Sequence, residues 1–142
     1  DKFNLANFMR AHLYASVGVL KIGNDILFNE EKIKVDRITG HGGLFKTKGV
    51  GQRVLAAAIN SPISVMETAG EGGAWGIALL ASYLVNNANG LNLADYLDKV
   101  VFAGDAGVEI APTQEDVDGF NAYIENYKAG LAIEEAAVKA KK

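Results

Sequence analysis

Between residues 4 and about 29, apolar side chains recur every three or four positions. Leu5, Phe8, Met9, Leu13, Val17 and Leu20 form one stripe, which predicts a long helix with a single buried face. Asn4 is placed to cap it, and Gly18 and Gly23 are its weak points. A polar connection, Glu30-Glu31-Lys32, leads to a short strand over residues 35–40 with Ile38 as its inward residue. Helical spacing returns over about residues 50–60, with Val54, Leu55, Ala58 and Ile59 on the inner face. Asn60-Ser61-Pro62 ends that helix, because proline offers no N–H to the ladder and restricts the residue before it. Residues 63–66 read as a second strand. Residues 71 to about 87 form a strongly apolar helix that leaves through Asn86-Asn87-Ala88-Asn89-Gly90. Asn92 caps a short helix over 93–97, and 100–102 reads as an extended piece. Thr113, with Asp116 three residues on, starts a last helix that runs from Gln114 past Tyr127. Val117, Phe120, Ile124 and Tyr127 share one side of it.

Helix, strand, helix, strand and helix in that order predict an α/β fold. Right-handed crossovers make the two strands parallel neighbours in a small sheet flanked by helices. Two strands alone do not make a stable sheet covered on both faces. Further strands are therefore expected upstream or from a partner chain. The absence of an initiating Met agrees with a processed chain or an expressed fragment.

Composition narrows the function classes. The chain has 142 residues, enough for one domain with a real core, and is 49% apolar and 22% charged, as a folded protein is. A net charge of -3 argues against nucleic acid as the main partner. Lys128, Lys139, Lys141 and Lys142 read as a solvated helix end. Without cysteine there is neither a disulfide framework nor a thiolate metal site, which suits a cytoplasmic location. No apolar stretch is long enough to span a bilayer, and no signal peptide is visible, so no membrane partner is expected.

Three features carry candidate chemistry. The first is the turn Gly40-His41-Gly42-Gly43-Leu44-Phe45, with the Thr47 hydroxyl nearby. Paired glycines at the end of a strand let backbone approach a flat ligand, and ligands of open α/β sheets gather at the carboxyl ends of strands. The second is Gly70-Glu71-Gly72-Gly73-Ala74-Trp75-Gly76. A dinucleotide fingerprint starting at Gly70 would need glycine where Trp75 stands, and no P-loop triplet occurs. These glycines are read as allowing close helix packing, with a role in shaping a nucleotide pocket as the alternative. The third is histidine. His12 reads as packed or surface, His41 lies in the ligand-facing turn, and two histidines without cysteine make a zinc site improbable. No nucleophile elbow accompanies His41. Glu67, Glu71, Asp95, Asp98, Asp105, Glu109, Glu115 and Asp116 form no diagnostic pair. Glu71 suits a helix N-terminus, and Trp75, Tyr123 and Tyr127 fit core or interface packing.

Taken in order, Gly42-Gly43, Gln52, Pro62, Glu71 with Ala74 and Gly76, and Pro112 with Phe120, Tyr123 and Tyr127 resemble the adenosine-binding segment of the FGGY carbohydrate kinases, in the actin/hexokinase superfamily. The resemblance covers roughly residues 5 to 128. It implies the C-terminal part of an actin/hexokinase-like (ribonuclease H-like) nucleotide-binding domain, belonging to an ATP-dependent sugar kinase. It places Gly42, Gly43 and Leu44 along adenine and ribose, with Phe45 and Thr47 close by. It also implies that the sugar pocket, the catalytic aspartate and most phosphate-binding loops precede this segment. ATP and Mg²⁺ would then be held mainly by upstream residues, and this chain alone would not turn over. A pentulose such as xylulose or ribulose is the implied substrate of the parent. His41, Leu44 and Trp75 depart from the family pattern, and Leu44 would narrow the adenine slot. A non-enzymatic α/β module that self-associates through its sheet edge as a homodimer is the competing reading. A nicotinamide-dependent domain is disfavoured by the failed glycine spacing.

Overall fold

Helix α1 (Leu5–Asp25) starts where Asn4 accepts a hydrogen bond from the Asn7 N–H at 2.8 Å, and it runs into a π-helical turn, Ile26–Glu30. The computed structural model describes residues 3–87, 89–104 and 107–141; Ala88, Asp105 and Lys142, named above, lie outside them. The stripe expected to be buried is largely not: Leu5, Phe8, Met9 and Leu20 are exposed. The buried side of α1 carries Val17 and Gly18, with Tyr14 and Ile22 packed against the core. Gly18 sets that choice, since a Cβ there would sit 3.3 Å from the ring of Tyr127, so the missing side chain admits the aromatic.

The strand expected over 35–40 is only its last part, β1 (Ile38–Gly40). A 3₁₀ turn, Gly43–Phe45, leads to α2 (Val50–Ile59), followed by β2 (Ile63–Val65). The second crossover begins with a 3₁₀ segment, Glu67–Glu71, so α3 spans Gly72–Asn86 and starts one residue later than expected. Asn92 caps α4 (Leu93–Tyr96) by accepting from the Asp95 N–H at 2.9 Å. Residues 97–101 form a π-helical turn, not the extended piece expected at 100–102. β3 (Val108–Ile110) and α5 (Gln114–Ala140) complete the described chain, with Thr113 accepting from the Asp116 N–H at the start of α5.

The sheet has the order β1-β2-β3 and is mixed. β1 and β2 pair in parallel, as expected, with Ile38 opposite Ile63 and Gly40 opposite Val65. The all-parallel expectation fails at β3, which runs antiparallel to β2 with Ile110 opposite Ile63. Val108-Glu109-Ile110 is too short a run for alternation to mark it as a strand. Its place is fixed by tertiary contacts: the buried Gln52 side chain donates to both Ile63 O and Val108 O at 2.6 Å. The amide thus bridges the two strands from α2. Gln52→Leu should cost about 1–3 kcal/mol, the penalty for leaving buried acceptors without a donor. Urea unfolding would register this as a lower midpoint, and an unchanged midpoint would mean that the bridge is not formed.

α2 lies at the centre, buried on both sides through Gln52, Leu55, Ala56, Ala57 and Ala58. The core joins these to Val17, Ile63, Phe120 and Ile124. α5 presents Val117, Phe120 and Ile124 as expected, with Tyr127 half-buried beside them. Arg53 and Asp116 tie α2 to α5 by a two-pronged ion pair at 2.6 and 3.1 Å. The Arg53 hydrogen bond holds the Asp116 carboxyl below its usual range. α3 behaves differently: none of its residues is buried, and Ile77, Leu80, Leu84 and Val85 face solvent. Trp75 is exposed as well, which rules out the core for it and leaves the interface alternative untested.

Candidate functional site

The parallel register of β1 and β2 ends both strands level, at Gly40 and Val65. The loops that follow them therefore lie side by side. The first carries the glycine turn. Gly42 has φ 104° and ψ -175°, a region closed to residues with a Cβ, and it opens the 3₁₀ turn. Phe45 N–H donates to Gly42 O at 3.0 Å, and Lys46 N–H donates to Gly43 O at 3.2 Å. A Cβ built at Gly42 or Gly43 meets no heavy atom within 4 Å, so the backbone there is open to approach.

The side chains of the turn point elsewhere. Leu44 and Phe45 are half-buried and pack against the core. Leu44 lies over Gly51 of α2, and the Phe45 ring lies over Gly40, where a Cβ would come within 2.3 Å of it. The bulk of Leu44 is thus taken up against α2. Thr47 is exposed, and its carbonyl accepts from the Val50 N–H at 3.3 Å at the start of α2. His41 is exposed beside Gly72. His12, also exposed, packs against Phe8 with ring centres 4.4 Å apart and planes tilted by 57°, and bonds the Phe8 carbonyl through Nδ1.

A cavity of about 810 Å³ opens beside the turn. Its apolar wall is Phe45, Val65, Met66, Val108 and Ile110, and Lys46, Lys48, Gln52, Glu67 and Glu71 supply its polar groups. Of the five residues expected at the site, only Phe45 lines it; Gly42, Gly43, Leu44 and Thr47 do not. Sequence reasoning missed Lys46, and it read Glu71 as suited to a helix N-terminus without seeing its partner. Their Nζ and Oε1 atoms meet at 2.7 Å across the two loops. The signal available was the parallel pairing itself, which places loops of opposite charge side by side. Hydrogen bonding and the charge of Lys46 hold the Glu71 carboxyl below its usual range. Glu71 makes no side-chain cap on α3, so its role is this pair and not the helix terminus alone. The glycines expected to allow close helix packing divide in the same way. Gly70 and Gly72 admit Lys46 and His41, whereas Gly73 and Gly76 have no neighbour within 4 Å.

Open glycine backbone at the carboxyl end of a strand lets a flat ligand approach closely. Among the described residues, no group of three or more His, Cys, Asp and Glu side chains is placed to hold a metal ion. No described helix is long and apolar enough to cross a membrane. The profile of the FGGY family of carbohydrate kinases, C-terminal domain, matches residues 1–85. That span takes in both strand-to-helix units and most of α3, and it stops before the Pro112 to Tyr127 segment. No curated protein and no solved structure matches the chain.

Proposed function

This chain belongs to the FGGY family of carbohydrate kinases, and from that premise we propose that residues 1–142 form the C-terminal part of the nucleotide-binding domain of an ATP-dependent sugar kinase. The domain is of the actin/hexokinase (ribonuclease H-like) type, with its sheet continued past β1 by upstream strands. Gly42, Gly43 and Leu44 lie against adenine and ribose through their backbone, with Phe45 and Thr47 beside them. The observation that carries this reading is the open, positive-φ glycine turn at the carboxyl end of β1, inside the matched span.

ATP, when bound, supplies the phosphoryl group that passes to a sugar hydroxyl. The residues of this chain seat the adenosine end and orient it. The sugar pocket, the acidic base and the residues that hold Mg²⁺ lie upstream. A pentulose such as xylulose is the substrate of the parent, and the cytoplasm is its location. A non-catalytic module that self-associates through a sheet edge draws no support from the family match.

Titration of the 142-residue chain with Mg-ADP, followed by backbone amide NMR, tests the site. Saturable shifts confined to Gly42, Gly43 and Leu44 are expected. Saturable shifts centred away from the turn would overturn the assignment, and no shift at millimolar nucleotide would mean either that upstream residues are needed to build the site or that the module reading gains. The same chain is expected to show no phosphoryl transfer to any pentulose, and measurable turnover would show that the essential groups are present in it.

A further inference from the structure

The Gly70-Glu71-Gly72 run fits no dinucleotide or P-loop pattern, yet together with Ala69 it meets the glycine turn and the adjoining Lys46 at several points. The Gly42 N–H donates to Ala69 O at 2.7 Å, and Ala69 is itself buried. The Lys46 ammonium reaches Glu71 at 2.7 Å. Its stem crosses Gly70 so closely that a Cβ there would lie 3.1 Å from Lys46 Cγ. His41, at the start of the turn, lies against Gly72, where a Cβ would be 3.5 Å from Nδ1. Hydrogen bond, ion pair and close packing thus fasten the turn to the loop after β2 at successive points.

We infer that Gly70 and Glu71 are positioning residues for the Gly42–Phe45 turn, acting through Lys46 and the Ala69 carbonyl. The Ala69 carbonyl fixes the amide end of the turn, and Glu71 fixes the end that leads into α2. Gly70 keeps the Lys46 stem flat between them. The consequence for nucleotide affinity rests on the proposed adenosine site, whereas the fastening itself does not. The ion pair is more than half exposed, so its contribution is modest and screened by salt. The packing over Gly70 is not screened.

A charge-exchange series on the 142-residue chain separates positioning from direct ligand contact. Lys46→Glu and Glu71→Lys are each expected to speed hydrogen exchange at the Gly42 amide by about threefold, the scale of one exposed ion pair. The double exchange should restore the original rate. Gly70→Val should speed it as well, even in high salt, while Gly73→Val, which meets no neighbour, leaves it unchanged. Mg-ADP affinity should follow the same order. Unchanged exchange in both single variants would overturn the inference. So would a double variant as impaired as the singles, because Lys46 would then act by itself. Mg-ADP shifts centred away from the turn would sink the adenosine reading, and the exchange series, which uses no nucleotide, would still decide the fastening.

Discussion

Gly51→Ala is expected to destabilise the chain by about 2 kcal/mol, although alanine at an unobstructed helix position is better than glycine by about 1 kcal/mol. The sign reverses because Leu44 folds back onto α2. A Cβ at Gly51 would lie 2.4 Å from Leu44 O and 2.7 Å from Leu44 Cγ. The nearer atom is backbone, so relief requires the turn to move and not merely a side chain to rotate. Overpacking of this kind costs about 1–3 kcal/mol, more than the helical preference returns. Gly119→Ala in α5 is the control: it is exposed, has no neighbour within 4 Å, and should stabilise by about 0.5–1 kcal/mol. Paired urea melts decide the matter. If both substitutions stabilise, Leu44 does not rest on α2, and the seat of the turn is wrongly drawn.

Phe120→Ala should have the largest effect, a loss of about 3–5 kcal/mol. Phe120 has no exposed surface, and its ring meets Tyr14 at 4.8 Å and Tyr123 at 5.9 Å between centres. It lies where α1, α2 and α5 converge, so the cavity left behind would be lined by three helices that cannot close on it independently. Domains of this size are stable by only about 5–15 kcal/mol, so much of the native population would be at risk at 37 °C. Loss of the near-UV aromatic signal at lower temperature is the expected reading. A melting temperature within a few degrees of the wild type would mean that the helices do not converge on this ring.

The face of α5 was legible because Val117, Phe120 and Ile124 keep helical spacing and Thr113 marks the start. The parallel pairing of β1 and β2 was legible because a helix of crossover length joins them. α1 misled because its most apolar stripe is not its buried one. The packing side was chosen by Gly18, whose value lies in the absence of a side chain and so adds nothing to a hydrophobic count. β3 was invisible for a related reason. Three residues carry no period, whereas Val100-Val101 have strand propensity and still take a π-helical turn. At the candidate site the glycines announced the turn. Lys46 and Glu71 could be joined only after the strand register was known, since nothing local links residues so far apart in sequence.

Part of the hydrogen-bonding capacity of the turn is already taken up within the protein. The Gly42 N–H is engaged by Ala69, and the Gly42 and Gly43 carbonyls accept from Phe45 and Lys46. A purine lying on this surface would meet the flat face of a peptide, with the Gly42 N–H already committed to Ala69. Contact of that kind measures shape and hardly registers which exocyclic groups a base carries. Discrimination between adenine and guanine would then fall to residues outside the turn, and the glycines themselves would be indifferent to the choice.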